Sequence, residues 1–283
     1  MSEWLAVDPY DLCEGLEKVP VHFEDKRLIE TAKEFKYVRS NIPHKGTSLD
    51  DFETQICGCD CRTICTEVCR CIARFGPNYS TNHKILPELL TASSVKPVFE
   101  CNTKCSCDKT CVNRCVQFGV GIKMEVFTSE AKGHGLRTLD NIPSCSFVCE
   151  YAGEVLSEKE AQKRIDRLTH EDMNYLFVLK EHYSSGTVNT CIDPKYIGNI
   201  GRYINHSCDP NLIMVPVRVD NNVPKLALFS RCDIPANQEL CYDYSGQSED
   251  RKSTNCDEAT RKPCLCHSQN CRGYLPFHPH ILE

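Results

Sequence analysis

Apolar and polar positions alternate over short distances through the middle of the chain. Ile122-Lys123-Met124-Glu125-Val126-Phe127 begins with a strict two-residue period, and Phe147-Val148-Cys149-Glu150-Tyr151 and Lys225-Leu226-Ala227-Leu228-Phe229 are short apolar runs preceded by turn-forming residues. Such runs predict strands. Pro224 after Asn221-Asn222 predicts a hairpin turn between a strand ending near Val219 and the one starting at Lys225. One segment has a helical period instead: Ser157-x-x-Glu160 is a capping box, and Ala161, Ile165 and Leu168 follow at i, i+4 and i+7 on an otherwise charged stretch. From about Val116 to Ser245 the pattern is therefore mainly β, interrupted by few short helices. Before it, residues 35–38 read as a strand and 43–48 as a loop, while 72–97 reads as a surface excursion.

Composition narrows the function classes. The formal charge of the 283 residues is only -6, with acidic and basic residues interspersed, so no basic patch points to direct nucleic-acid binding. A mildly acidic body suits a basic protein or peptide partner. No apolar run approaches the ~18 residues of a membrane span, and no membrane partner is expected. Twenty-two cysteines would suit a disulfide-rich secreted chain, yet the N-terminus lacks the charged and apolar regions of a signal peptide. Reduced thiols in the nucleus or cytosol are the expectation.

The cysteines are clustered. One group reads Cys57-x-Cys59-x-Cys61-x3-Cys65-x3-Cys69-x-Cys71, and after 29 residues a second reads Cys101-x3-Cys105-x-Cys107-x3-Cys111-x3-Cys115. Sulfurs so spaced reach one metal readily, whereas Cys-x-Cys neighbours need particular Cβ vectors to form a disulfide, so structural zinc is expected. Near the C-terminus Cys264-x-Cys266-x4-Cys271 offers three ligands where tetrahedral zinc takes four. Cys13, Cys145, Cys149, Cys191, Cys232, Cys241 and Cys256 have no pairing pattern and read as core or surface thiols.

Two further segments carry chemistry: Arg202-Tyr203-Ile204-Asn205-His206-Ser207-Cys208-Asp209-Pro210-Asn211 and, some thirty residues later, Glu239-Leu240-Cys241-Tyr242-Asp243-Tyr244. In this order and spacing they resemble the two core motifs of SET-domain protein lysine methyltransferases. The cysteine pattern from Cys59 to Cys111 resembles the family's nine-cysteine pre-SET module, and Lys132-Gly133-His134-Gly135-Leu136 resembles its G-x-G segment, with His134 where most members carry Trp. The resemblance spans roughly residues 35 to 275. Residues 97–102, 148–155, 196–202 and 223–229 are similar to the branch in which a SET unit is fused to a mariner transposase. No transposase follows in this sequence, and nothing of that half is carried over.

The resemblance implies a SET-domain β-sheet fold with knot-like C-terminal threading, divided into an N-terminal segment (1–56), a pre-SET zinc module (57–115), the SET catalytic domain (116–245) and a post-SET zinc module (259–275). It implies a triangular cluster of three zinc ions held by Cys59, Cys61, Cys65, Cys69, Cys71, Cys101, Cys105, Cys107 and Cys111. Three tetrahedral ions have twelve coordination positions, so nine thiolates suffice only if three of them bridge. Cys57 is an alternative first ligand, and Cys115 is left as a buried free thiol. A fourth zinc is implied at Cys264, Cys266 and Cys271 with Cys208, which pins the tail across the site; His267 is a competing ligand.

By the same resemblance the cofactor is S-adenosylmethionine, contacted by Lys132, Gly133, His134, Tyr175, Arg202, Asn205 and His206. A Cβ in the G-x-G segment is expected to obstruct it. Tyr175 is alternatively a core aromatic. Tyr244 is the expected catalytic tyrosine and Tyr151 a second channel tyrosine. Tyr242 is expected to limit the product to mono- or dimethyl-lysine. The partner implied is the histone H3 tail in chromatin, with a nuclear, chromosomal location. The closer likeness points to lysine 36 or lysine 4, and the pre-SET type to lysine 9. A non-catalytic zinc-rich chromatin-binding module is the alternative from another class.

Overall fold

The structure is a computed structural model describing residues 8–32, 35–91, 97–169, 172–245 and 262–276. Cys256 and residues 259–261 of the expected post-SET module lie outside the described residues. The fold is mainly β. One sheet joins β1 (His22–Phe23), β5 (Met124–Ser129) and β6 (Gly133–Thr138). A second has the order β2 (Lys36–Tyr37), β10 (Gly186–Gly198), β8 (Gly153–Leu156), β3 (Ile42–Pro43), with β9 (Phe177–Tyr183) also paired to β10. A third has the order β4 (Val98–Phe99), β12 (Leu212–Arg218), β13 (Lys225–Ser230), β7 (Phe147–Tyr151). Finally, β11 (Asn205–His206) and β14 (Cys241–Tyr242) form a two-stranded parallel pair.

The expected strands form where the alternation placed them, the first beginning at Met124 rather than Ile122. Both faces of β13 are buried: Leu226 and Leu228 enter the main core, whereas Ala227 and Phe229 enter a second core behind the sheet. A strand covered on both sides reads as a continuous apolar run, as this one does. Opposite it, Leu228 pairs with Cys149 and Phe229 with Phe147, leaving Val148 as the extra residue of a β-bulge. The bulge returns Cys149 and Tyr151 to the main core. In the hairpin, Asn221 Oδ1 accepts from the Val223 amide at 3.1 Å.

The predicted helix spans Glu158–Asp166, and Ser157 Oγ caps it by accepting from the Glu160 amide at 3.3 Å. Glu160 pairs forward with Lys163 at 3.3 Å. Only Ala161 of the stripe is fully buried; Ile165 and Leu168 are half-buried.

One segment differs from expectation. The stretch after Ile72 is no surface excursion: Tyr79, Ile85 and Leu89 are buried against Val98, Val215, Val217 and Phe229, covering the back of the third sheet. Its apolar residues fall at no regular period, which hid their burial. The N-terminal segment is equally embedded, with Leu12, Val21, Phe23, Ile29 and Tyr37 in the main core and β1, β2 and β3 each lying parallel to a strand of the catalytic region.

Candidate active site and metal centres

The two motifs become one site through the β11–β14 pair, which sets Asn205 beside Cys241 and His206 beside Tyr242. Three tyrosines converge there. The Tyr242 ring lies 4.8 Å from that of Tyr244 and 6.1 Å from that of Tyr151, centroid to centroid. Tyr244 donates its hydroxyl proton to the Ile204 carbonyl at 2.8 Å, and Tyr151 donates to the Tyr175 carbonyl at 2.5 Å. With both protons committed, the phenol oxygens present lone pairs and act as acceptors. Burial pushes all three phenols above their ordinary pKa, so they stay protonated at neutral pH.

His206 is buried and its pKa is lowered, chiefly by desolvation, so the ring is neutral. Its Nδ1 accepts from the Tyr244 amide at 3.1 Å, which places the proton on Nε2, 3.4 Å from Cys208 Sγ. The side chain thus ties the tyrosine strand to the C-terminal cysteine group.

On the other side of β11, Asn205 Nδ2 donates to Glu239 Oε1 at 2.9 Å and to the His134 carbonyl at 3.3 Å, and Lys132 Nζ lies 2.5 Å from Glu239 Oε2. Gly133 has φ +73° with open space where a Cβ would stand, so backbone conformation is what favours glycine there. Gly135 differs: a Cβ would stand 2.7 Å from the Phe127 ring. The His134 ring packs edge-on against Phe23 and Tyr203 at 5.7 and 6.2 Å. Arg202 stacks on Phe35 and Tyr175 at 4.5 and 4.6 Å, making the Tyr175 ring a cation–π partner rather than a core residue. A cavity of about 340 Å³ takes in Lys132, His206, Glu239, Cys241 and Cys266.

The cysteines converge in overlapping quartets whose sulfurs lie within 4.8 Å of one another: Cys59, Cys61, Cys65 and Cys69; Cys59, Cys71, Cys101 and Cys105; and Cys59, Cys65, Cys101 and Cys107. The sulfurs of Cys59, Cys65 and Cys101 are central, with neighbouring separations of 3.5 and 3.4 Å. Cys111 is fully buried in the same cluster but completes no quartet among the described residues. Cys57 is exposed and Cys115 buried, its thiol 3.3 Å from the His83 carbonyl. Such all-thiolate quartets fit zinc.

Arg114 was not anticipated as part of this centre. Only 7% exposed and with no carboxylate partner among the described residues, it sends Nη2 to Cys107 Sγ at 3.4 Å. Asn113 Nδ2 reaches Cys101 Sγ at 3.5 Å.

Cys208, Cys264, Cys266 and Cys271 form the remaining quartet, without His267. The tail is fastened further where the Arg272 amide meets Cys208 Sγ at 3.4 Å and the Arg272 guanidinium pairs with Asp243.

Paired tyrosine acceptors beside an Asn-His strand, closed by a cysteine quartet, match a recognised plan. A family model for the SET domain matches residues 133–245, and one for the Pre-SET motif matches residues 13–114. Histone-lysine N-methyltransferase SETMAR of Rattus norvegicus is 44% identical over 281 residues, covering 96% of this chain and 89% of that protein. The chain belongs to the SET-domain family of histone-lysine N-methyltransferases. The crystal structure of the methyltransferase domain of human SETMAR superposes with a TM-score of 0.81 at 39% identity, covering 95% of this chain and 98% of that one. KRYPTONITE, in complex with mCHH DNA, an H3(1-15) peptide and SAH, gives a TM-score of 0.71 at 28% identity, covering 98% and 55%.

Glu239 stands in the second motif, two residues before β14, and its contacts to Lys132 and Asn205 have no signal in the local sequence. Arg114, between two zinc-module cysteines, was legible only as an unassigned charge.

Proposed function

We propose that this chain transfers the methyl group of S-adenosylmethionine to a lysine side chain of the histone H3 tail, working on chromatin in the nucleus. The observation that carries the reading is the convergence of Tyr151, Tyr242 and Tyr244 on the strand pair that holds Asn205 and His206. When bound, the cofactor supplies an electrophilic methyl on a sulfonium; the chain supplies position and electrostatics. Lys132, Gly133, His134, Tyr175, Arg202, Asn205 and His206 would hold it; Lys132 and the neutral His206 lie in the cavity wall, and the Asn205 amide is held by Glu239 of the same wall, polar groups suited to a nucleoside.

The Tyr151 and Tyr244 oxygens, restricted to accepting, suit the N–H donors of a lysine amine and turn its lone pair toward the methyl. Desolvation among the buried rings favours the neutral amine, which is the nucleophile. Tyr242, 5% exposed between the other two, crowds the channel and supports a mono- or dimethyl product. The edge of β9 opposite β10 is unpaired among the described residues, next to the carbonyl that receives the Tyr151 proton, and suits an extended peptide added as a strand.

Four zinc ions complete the reading. Cys59, Cys65 and Cys101 would bridge, leaving Cys61 with Cys69, Cys71 with Cys105, and Cys107 with Cys111 as terminal pairs. Three zinc ions and nine thiolates carry a formal charge of roughly -3, which Arg114 partly offsets. Cys208, Cys264, Cys266 and Cys271 would take the fourth ion.

Likeness to the SET-mariner branch supports H3 lysine 36 or lysine 4 as the target, with lysine 9 as the alternative. A peptide array of H3 and H4 tails, read by mass spectrometry with S-adenosylmethionine present, is expected to show methylation confined to H3. Cofactor binding with no transfer to any histone peptide would overturn the catalytic reading.

A further inference from the structure

Glu239 is held where the second motif meets the first. Its backbone is fixed, the carbonyl accepting from Asn211 Nδ2 at 2.8 Å and the residue bridging antiparallel to Arg137. Its side chain lies in the wall of the cavity beside Lys132 and His206, 26% exposed. Oε1 takes the Asn205 amide at 2.9 Å while Oε2 takes Lys132 at 2.5 Å, so one carboxylate engages two residues of the proposed cofactor site.

The consequence falls on the Asn205 amide. Its nitrogen faces two acceptors, the Glu239 carboxylate and the His134 carbonyl. The reversed amide would set its oxygen against both, an arrangement with no hydrogen bonds and direct repulsion. Glu239 therefore fixes which end of the amide is anchored, and the Oδ1 end is left as an acceptor. Lys132, paired to the other carboxylate oxygen, keeps Glu239 charge-compensated and occupied.

We propose that Glu239 is a positioning residue that orients the Asn205 amide so that Oδ1 receives the α-ammonium group of the cofactor's amino-acid end. This rests on the cofactor site proposed above. Glu239 acts through Asn205, and its effect belongs to ligands that carry an ammonium group.

The test uses the full zinc-loaded chain and two probes in titration calorimetry: S-adenosylhomocysteine, which has the α-ammonium, and methylthioadenosine, which has the same nucleoside thioether without the amino acid. Glu239→Ala should weaken S-adenosylhomocysteine about tenfold, the scale of one hydrogen bond to a charged group, and leave methylthioadenosine unchanged. In an Asn205→Ala background the same substitution should cost nothing further. Glu239→Gln, which keeps an acceptor for the amide, should bind S-adenosylhomocysteine within about threefold of the unmodified chain; it carries the test where the alanine variant does not fold.

Equal loss of both probes in Glu239→Ala, an additive loss with Asn205→Ala, or a tenfold loss specific to S-adenosylhomocysteine in Glu239→Gln would overturn the positioning role. If the unmodified chain binds neither probe, the cofactor reading falls and this role with it. Binding by the unmodified chain with no effect of Glu239→Ala overturns this role alone.

Discussion

Tyr244 concentrates several demands in one hydroxyl group. It donates to the Ile204 carbonyl and presents its lone pairs to the channel, while its backbone amide fixes the His206 tautomer. Tyr244→Phe deletes the hydroxyl alone. Methyl transfer is expected to fall on the order of a hundredfold with cofactor affinity nearly unchanged, as for a group whose contribution is realised in the transition state. Single-turnover transfer beside calorimetric binding checks this, and equal loss in both would mark a packing role. Tyr242→Phe should act on the product instead: with one polar contact fewer beside Tyr151, trimethyl-lysine should appear where the unmodified chain stops at mono- or dimethyl. Time-resolved mass spectrometry of an H3 peptide distinguishes these end points. At this scale the tyrosines, Asn205 and His206 were legible because they sit in contiguous motifs. Glu239 takes its role from Lys132, more than a hundred positions away, and Arg114 from the fold of the cysteine cluster, which brings Cys107 against it; local spacing encodes neither.

Among the elements, the two-residue strands β11 and β14 bring the motifs together, and neither has the length to be stable alone. They are braced on one side by the main core through Ile204, Leu240 and Tyr242, and on the other by the tail fastened at Cys208. Cys266→Ser removes one of four ligands from that fastening. It is expected to abolish transfer and to leave the pre-SET metal in place, because the quartets share no sulfur with it; metal content by elemental analysis and activity are read on the same sample. Loss of all zinc would show that the two centres do not fold independently. Whereas the partly exposed β9 and the exposed first part of β10 have no apolar alternation to read, three strands could be read from alternation or from a short apolar run, and the helix from its cap. The two-residue strands could not, since they have no period to detect and exist through pairing with distant partners.

Over the whole molecule, metal and hydrophobic burial divide the work of cohesion. The chain should carry four tightly held zinc ions, and two or fewer per chain on elemental analysis would refute the ligand assignments. Arg114→Leu removes the buried cation beside Cys107, so a chelator should extract the three pre-SET ions several-fold faster while the fourth leaves at its former rate. A colorimetric zinc-release trace resolves the two phases. The zinc and catalytic modules that follow one another along the sequence are continuous in space: Tyr79 and Phe229 share one core, and Tyr79 donates to Glu100 at 2.7 Å, next to Cys101 of the zinc module. Composition alone gave no sign of this continuity, because it depends on which face of β13 meets which segment.

The parallel pairings have a consequence in time. His22 pairs with Glu125, Lys36 with Ile197, Ile42 with Glu154 and Val98 with Val217, contacts that join residues about a hundred or more positions apart. Loops of that size must close before any of these contacts stabilises the chain, so the folding rate belongs at the slow end for a domain of this size. During synthesis the Asn205–His206 strand leaves the ribosome well before β14, and Cys208 waits longer still for Cys264, Cys266 and Cys271. Through that interval the thiols and apolar strand edges of a half-made chain stay open to oxidation and to wrong partners, which makes zinc supply and chaperone protection determinants of how much of it matures.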